Sequence, residues 1–369
     1  MTLKAPFPWF GGKSAVTDLI WERFGDPANY VEPFFGSGAV LLGRPTPPQI
    51  ETVNDADALL CNFWRALQTD PDAVAYHADW PVDEVSLHAR HLWLLERKAD
   101  VARLIADPDW HDAQIAGWWV WGLCCWIGSG WCSGRGPWHL VDGVLTKDGG
   151  ELPGDARQLP HLADQGQGIH RKLPHLGDGG RGGHRAPREP GIELARPHLG
   201  NAGQGINRQL PHLGDGGRGV AAPSRGNLYD YLGALAERLR RVRVACGDWS
   251  RVVGPSVTTK HGLTAVLLDP PYAHEGRDDD LYTHDTDISA TVRAWAIEHG
   301  DDPLLRIALC SYDDSPVPIG WERIEWKAKG GYGSQGDGRG RANAAREVID
   351  FSPHCLKKSA RQLSLVGNL

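Results

Sequence analysis

The 369-residue chain lacks a long hydrophobic run. Its longest near-apolar stretch, Ala116 to Ile127, has 12 residues, and a bilayer-spanning helix needs about 20. One early cation, Lys4, is followed by an apolar stretch broken by Pro6 and Pro8. That pattern is not expected to act as a secretory signal. Seven cysteines occur without a Cys-x-x-Cys pair. This excludes a disulfide scaffold, gives a zinc site little support and favours reduced thiols in a cytoplasmic protein. A basic excess is missing too: 39 Lys and Arg face 46 Asp and Glu, for a net charge of −7. A general nucleic-acid coat protein is therefore not expected, although local basic patches remain open. The glycines of the first strand-to-helix turn, Gly36 and Gly38, are not followed by a third at the spacing of a Gly-x-Gly-x-x-Gly fingerprint, which argues against a ligand with a pyrophosphate there.

What remains is a globular composition, 41% hydrophobic and 23% charged. The length allows two or three domains at roughly 100–200 residues each. Ser14 is placed to cap a helix with Val16, Leu19, Ile20 and Phe24 on one face and Gly25 past its end. Tyr30 to Phe35 reads as a strand running into Gly36-Ser37-Gly38 and a helix start at Ala39 to Leu42. Ile50 to Val53 is a second strand, ending at Asn54-Asp55. Leu59, Leu60, Phe63 and Leu67 follow at helical spacing. Strand alternating with helix predicts an α/β fold with a parallel sheet. The pattern resumes late in the chain. Leu228, Leu232, Leu235 and Leu239 mark a helix. Val242 to Ala245 and Ala265 to Leu268 are continuous apolar runs suited to buried parallel strands. Thr286 to His299 reads as a helix, Leu305 to Leu309 and Val348 to Phe351 as further strands.

Residues 70–150 are mainly helical in pattern, best from Val85 to Ile105. Their end is Trp-dense: Trp118, Trp119, Trp121, Trp126, Trp131 and Trp138 fall within 21 residues. A packed core is the stronger reading, and a stacking wall beside a nucleic-acid channel is the alternative. Residues 151–226 form a duplicated insert between the second and third strands. Pro-His-Leu recurs at 160, 174, 197 and 211, so a 37-residue unit appears twice. The insert carries ten Lys and Arg, seven Asp and Glu, and six histidines. It is too Gly-rich and too short in copies for a solenoid. A phosphate-following loop and a plain solvated linker are about equally supported.

Two segments carry chemistry. Phe34-Phe35-Gly36-Ser37-Gly38 joins a strand to a helix, where glycines let backbone approach a ligand. Asp55 ends the next strand and is placed to accept the hydroxyls of a ribose. Alone, the turn reads as an ordinary tight connection. Asp269-Pro270-Pro271-Tyr272 follows the strand Ala265 to Leu268, at the strand end where open α/β sheets bind ligands. The Asp269 carboxylate and the Pro270 carbonyl offer two acceptors for an exocyclic amine, and Tyr272 a ring to stack on a base turned out of its duplex. A structural Pro-Pro turn is the competing reading.

At these residues the sequence resembles the DNA adenine methyltransferases of the Dam type, enzymes that use S-adenosyl-L-methionine, with motifs in the α order. Pro8 to Lys13 resembles the N-terminal cofactor motif, and Val31 to Val40 the Gly-rich one. Asn54 to Asp57 resembles the ribose motif, Cys246 to Trp249 the adenine-contacting motif, Asp269 to Tyr272 the catalytic motif, and Leu281 to His284 the base-holding segment that follows. The resemblance covers roughly residues 6–68 and 228–315. It implies a Rossmann-like methyltransferase fold with a mostly parallel sheet. It also implies a cofactor site of Trp9, Lys13, Gly36, Gly38, Asp55, Asp248 and Asp269, with Asp269, Pro270 and Tyr272 catalytic and Tyr272 and Tyr282 at the target base. Trp9 or Tyr272 would face the sulfonium. No metal is implied.

The expected reaction is direct methyl transfer to the N6 amine of a flipped adenine in double-stranded DNA. The expected organisation is a methyltransferase domain in two parts, 1–69 and 227–369, a helical target-recognition domain at 70–150, and the insert at 151–226. Methylation of cytosine N4 or of an RNA amine, and a DNA-binding module with a silent cofactor site, stay open at this level. So do the target sequence, a cognate restriction nuclease and the oligomeric state. A phage-like origin and a restriction-modification setting are suggested by the resemblance alone. Arg238, Arg240, Arg241 and Arg243 read as a solvated helix end. The Gly-rich stretch from Lys327 to Arg346 reads as a loop that either touches phosphate or simply lies at the surface.

Overall fold

The computed structural model describes residues 3–9, 11–107, 109–126, 131–132, 138–141, 144–147, 225–271, 285–326 and 346–357. The strands, in chain order, are β1 (Asn29–Glu32), β2 (Ile50–Asp55), β3 (Trp138–Val141), β4 (Val144–Lys147), β5 (Arg243–Cys246), β6 (Thr264–Leu268), β7 (Leu305–Tyr312), β8 (Glu322–Glu325) and β9 (Glu347–Phe351). The helices are α1 (Thr17–Phe24), α2 (Ala39–Leu42), α3 (Ala58–Thr69), α4 (Pro71–Ala78), α5 (Glu84–Glu96), α6 (Arg103–Ala106), α7 (Ala113–Cys125), α8 (Arg225–Leu239) and α9 (Asp285–His299). Residues 1–135 and 203–369 form one unit, and 136–202 a second. Of the second unit, the antiparallel hairpin β3–β4 is described. The repeats at 151–226 lie outside the described residues, apart from the first turn of α8. No helix among the described residues is long and apolar enough to cross a membrane.

Seven strands make one sheet in the order β5-β2-β1-β6-β7-β9-β8. The first five are parallel. β9 runs antiparallel to both its neighbours. The mostly parallel sheet expected from the continuous apolar runs is therefore present, with an antiparallel edge. The chain travels from β1 outward to β2 and β5, then returns to the other side of β1 with β6 and β7. Strand order thus reverses between β1 and β6, and the carboxyl ends of these two strands open a crevice.

Alternation along the strands splits the core between two faces. Tyr30, Ala265, Leu267, Ala308 and Cys310 join the larger cluster, with residues of α1, α3, α4, α7 and α8. Val31, Val266, Leu268, Ile307 and Leu309 point the other way, to Val292 and Ala296 of α9 and to Trp249. Aspartates start the helices of the first face. Asp57 accepts from Leu59 and Leu60 N–H groups, Asp70 precedes Pro71 and accepts from Ala73, and Asp83 and Asp112 cap α5 and α7. Trp119 and Trp121 are buried in this cluster, which supports the packing reading for both. Trp118, Trp126 and Trp131 are partly buried against it. Arg90 lies over the rings of Trp80, Trp118 and Trp121 at 4.4–4.8 Å.

Two local expectations are corrected. Ser14 does not cap α1. The Lys13 carbonyl accepts from Val16 N–H and from Thr17 Oγ1, so the chain turns first and the helix starts at Thr17. The mainly helical stretch from Val85 to Ile105 is made of α5, a 3-10 turn at Asp100–Ala102 and α6. Arg238 is not solvated: its guanidinium clamps both oxygens of buried Glu51 on β2, at 2.7 and 2.9 Å. Arg44 reaches the same carboxylate at 3.4 Å. Glu51 thereby ties α8 to β2. Removing one partner of a buried ion pair strands the other. Glu51→Ala is expected to lower unfolding stability by about 3 kcal/mol in urea denaturation, with Arg238→Ala costing less because water reaches its vacated place.

Candidate functional site

The crevice is built on a turn that only glycine makes cheaply. β1 ends at Glu32, and Gly36 (φ +50°) and Gly38 (φ +70°) lead into α2. A Cβ on Gly36 would sit 2.5 Å from Nε1 of Trp9, so the Trp9 indole lies directly against the turn. Asp55, at the end of β2, holds the turn from below. Its Oδ2 accepts from Gly36 N–H at 3.0 Å and its Oδ1 from Asp57 N–H at 3.0 Å. Trp64 Nε1 donates to the Gly36 carbonyl at 3.2 Å. Burial pushes the Asp55 carboxyl up to about 6, against the lowering effect of those backbone N–H groups.

Next to this lies a charged cluster. Lys13 Nζ meets Asp269 Oδ2 at 2.8 Å, and donates to the Gly11 carbonyl at 2.7 Å. Glu347 Oε2 is 3.6 Å from the same ammonium. The Lys13 side chain is 4% exposed and that of Asp269 21%, so the pair is shielded while Asp269 keeps an open side. Burial alone would lower the Lys13 pKa, but the Asp269 and Glu347 charges outweigh it and hold the ammonium protonated. Glu32, at the end of β1, accepts from Tyr30 Oη at 2.8 Å. Burial first, and the nearby Asp269 and Asp55 charges after it, push its carboxyl well above the usual range, against the lowering effect of the Tyr30 bond.

A third group closes the β5 side. Asn54 Nδ2 donates to the Pro33 and Gly247 carbonyls at 3.1 and 2.9 Å, and Gly247 N–H donates to the Asp55 carbonyl at 2.8 Å. These bonds bring Asp248 to the end of β2. Asp248 is exposed and caps the 3-10 turn Trp249–Val252 by accepting from Ser250. Phe34 stacks on Trp249 at 6.4 Å between centroids.

The fold thus gathers Trp9, Gly36, Gly38 and Asp55 in one place, joins Lys13 to Asp269, and ties the Asp248 turn to Asp55. Pro270 is buried just past β6. Tyr272 and Tyr282 lie outside the described residues, as does most of Lys327 to Arg346. Arg346 itself pairs with Asp313 and Asp314. Glu347 was not singled out in the sequence, because nothing in its spacing links it to a lysine 334 positions earlier. Among the described residues, no group of His, Cys, Asp and Glu is placed to hold a metal ion.

A mixed α/β unit with a mostly parallel seven-stranded sheet and an acidic crevice at its switch point is compatible with a methyltransferase. Residues 9–84 match the family of D12 class N6 adenine-specific DNA methyltransferases. That match supports a DNA adenine methyltransferase, an enzyme whose substrate is DNA. A search of the curated proteins finds no match.

The Asp55 carboxyl carries a testable pH signature. Its folded pKa, about 6, lies above the ordinary 3.8. Its contribution to stability is therefore full below about pH 4 and lost as pH rises through about 6. Unfolding free energies of wild type and Asp55→Asn between pH 4 and 7 are expected to show the steeper decline with pH in the wild type.

Proposed function

We propose that the chain is a Dam-type methyltransferase that transfers a methyl group from S-adenosyl-L-methionine to the N6 amine of an adenine turned out of double-stranded DNA. The observation that carries the proposal is the Lys13–Asp269 pair at the carboxyl end of β6, one strand away from the Gly turn held by Asp55. The donor set suits this cofactor. Around the turn stand four carboxyl groups, Glu32, Asp55, Asp248 and Asp269. Of the cations described there, Lys13 is engaged by acids and Arg251 donates to the Cys246 carbonyl. Such a site favours a cationic nucleoside with sugar hydroxyls to donate, and disfavours a phosphate. When bound, the cofactor supplies a methyl group on a positively charged sulfur.

The chain's own residues do the positioning. The Asp55 carboxylate accepts ribose hydroxyls, and Asp248 lies on the side of the adenine. Trp9 places a ring face beside the turn, where a cation gains about 0.5–2 kcal/mol. Gly36 and Gly38 keep the floor low enough for close approach. Asp269 accepts an N–H of the target amine, and the Pro270 carbonyl takes the second. That pairing holds the nitrogen lone pair out of the ring and aimed at the methyl carbon. Tyr272 and Tyr282 are proposed to flank the base. Helices α4 to α7 occupy the part of the chain proposed for target recognition, 70–150, and the insert at 151–226 is proposed to follow the DNA backbone. Under this reading the enzyme acts in the cytoplasm, with or without a partner restriction nuclease.

Long-read sequencing of DNA from an expression host without adenine methylation of its own tests the reaction. Wild type is expected to leave N6-methyladenine at one short sequence and Asp269→Ala to leave none, while far-UV circular dichroism of the variant stays that of the wild type. No modified adenine with wild type, or full modification with a folded Asp269→Ala, refutes the assignment. Calorimetry tests the ribose role: Asp55→Ala should weaken cofactor binding about tenfold or more, as expected when a charged acceptor of hydrogen bonds is removed.

A further inference from the structure

Glu347 opens β9, on the antiparallel side of the sheet, and pairs in register with Tyr312 of β7. Its side chain is 10% exposed, and its Oε2 accepts no hydrogen bond. A buried carboxylate oxygen without such a bond is costly, so its place against Lys13 calls for a reason. Neutralising Lys13 is not that reason, because Asp269 already does so at 2.8 Å. One ammonium therefore serves two carboxylates, Asp269 on the crevice side and Glu347 behind it.

The geometry points to Glu347 as a positioning residue that sets, through Lys13, the place and the acceptor strength of the Asp269 carboxylate. The inference rests on the role proposed for Asp269. With Glu347 present, the Lys13 charge is divided, and Asp269 keeps more of its negative charge for an amine N–H. Without that charge, Lys13 draws on Asp269 alone, and the carboxylate is both pulled back and weakened as an acceptor. Lys13 is fixed between them by the Gly11 carbonyl, so it cannot simply follow one partner. Glu347 touches neither cofactor nor base in this scheme and acts only through the lysine.

Glu347→Gln keeps the shape and removes the charge. It is expected to lower kcat about tenfold, the size of effect that a supporting partner of an active-site group carries. The KM values for cofactor and DNA are expected to stay within about twofold. Glu347→Asp, which keeps the charge, should recover most of the rate. A readout independent of turnover is the Lys13 side-chain nitrogen signal in ¹⁵N-lysine-labelled protein, assigned by its loss in Lys13→Arg. It should move in both variants. Wild-type kcat in Glu347→Gln, an Asp variant as slow as the Gln variant, or equal losses in kcat and in both affinities would overturn the inference. Where Glu347→Gln does not fold, Glu347→Asp decides: a moved Lys13 signal with most of the turnover kept supports it, and an unmoved signal or a tenfold loss of turnover overturns it. Absence of any methyl transfer by wild type overturns the proposed reaction itself, whereas an unmoved Lys13 signal in active enzyme overturns this inference alone.

Discussion

A buried lysine with carboxylates on two sides is the constraint around which this crevice is organised. Lys13 comes from the segment before α1, Asp269 from the end of β6 and Glu347 from the start of β9. Three remote parts of the chain must be in register before all three charges have a partner. A misplacement of any one leaves a buried charge unpaired, and such errors cost several kcal/mol. The ion cluster therefore makes the shape of the crevice a condition of folding as well as a consequence of it. Its position between β1, β6 and β9 also links the parallel sheet to its antiparallel edge.

Asp55 applies the same logic on the other side of β1. Its carboxylate accepts two backbone N–H groups and so shapes the Gly turn, while Asn54 beside it bonds to both Pro33 and Gly247. Adjacent residues of β2 thus fix the strand ends on either side of them. Backbone geometry at these strand ends is thus held by the Asp55 and Asn54 side chains. Burial that raises the Asp55 carboxyl toward 6 also makes this support sensitive to pH. The helices of the larger cluster give the turn a rigid bed, since Phe7, Phe63, Trp64 and Trp119 pack around the base of Trp9 and the turn.

Much of this arrangement is legible in the sequence. The apolar runs at 265–268 and 305–309 read as buried strands, and both are strands of the sheet. The Gly-x-Gly turn placed its helix start within a residue, and Asp55 and Asp269 stood at strand ends before any strand pairing was known. Local pattern suffices there because a parallel strand and a tight turn are set by near neighbours. It failed at Ser14, where a lysine carbonyl supplied a turn that the capping pattern does not reveal, and at Arg238, whose partner lies 187 residues away.

The amino-acid order by itself determined the class of fold, the order of β1, β2, β5, β6, β7 and β9 along the chain, the Gly turn and the acidic residues at the strand ends. These follow from periodicity and from the limited conformations of glycine and proline. Which strand sits beside which was decided only in three dimensions, as was the antiparallel edge. So were the partners of Lys13, the clamp on Glu51 and the tie between Asp55 and Gly36. The physical reason is the same throughout: a charge taken out of water must find its counterpart, and that counterpart is chosen by packing across the sheet and not by distance along the chain.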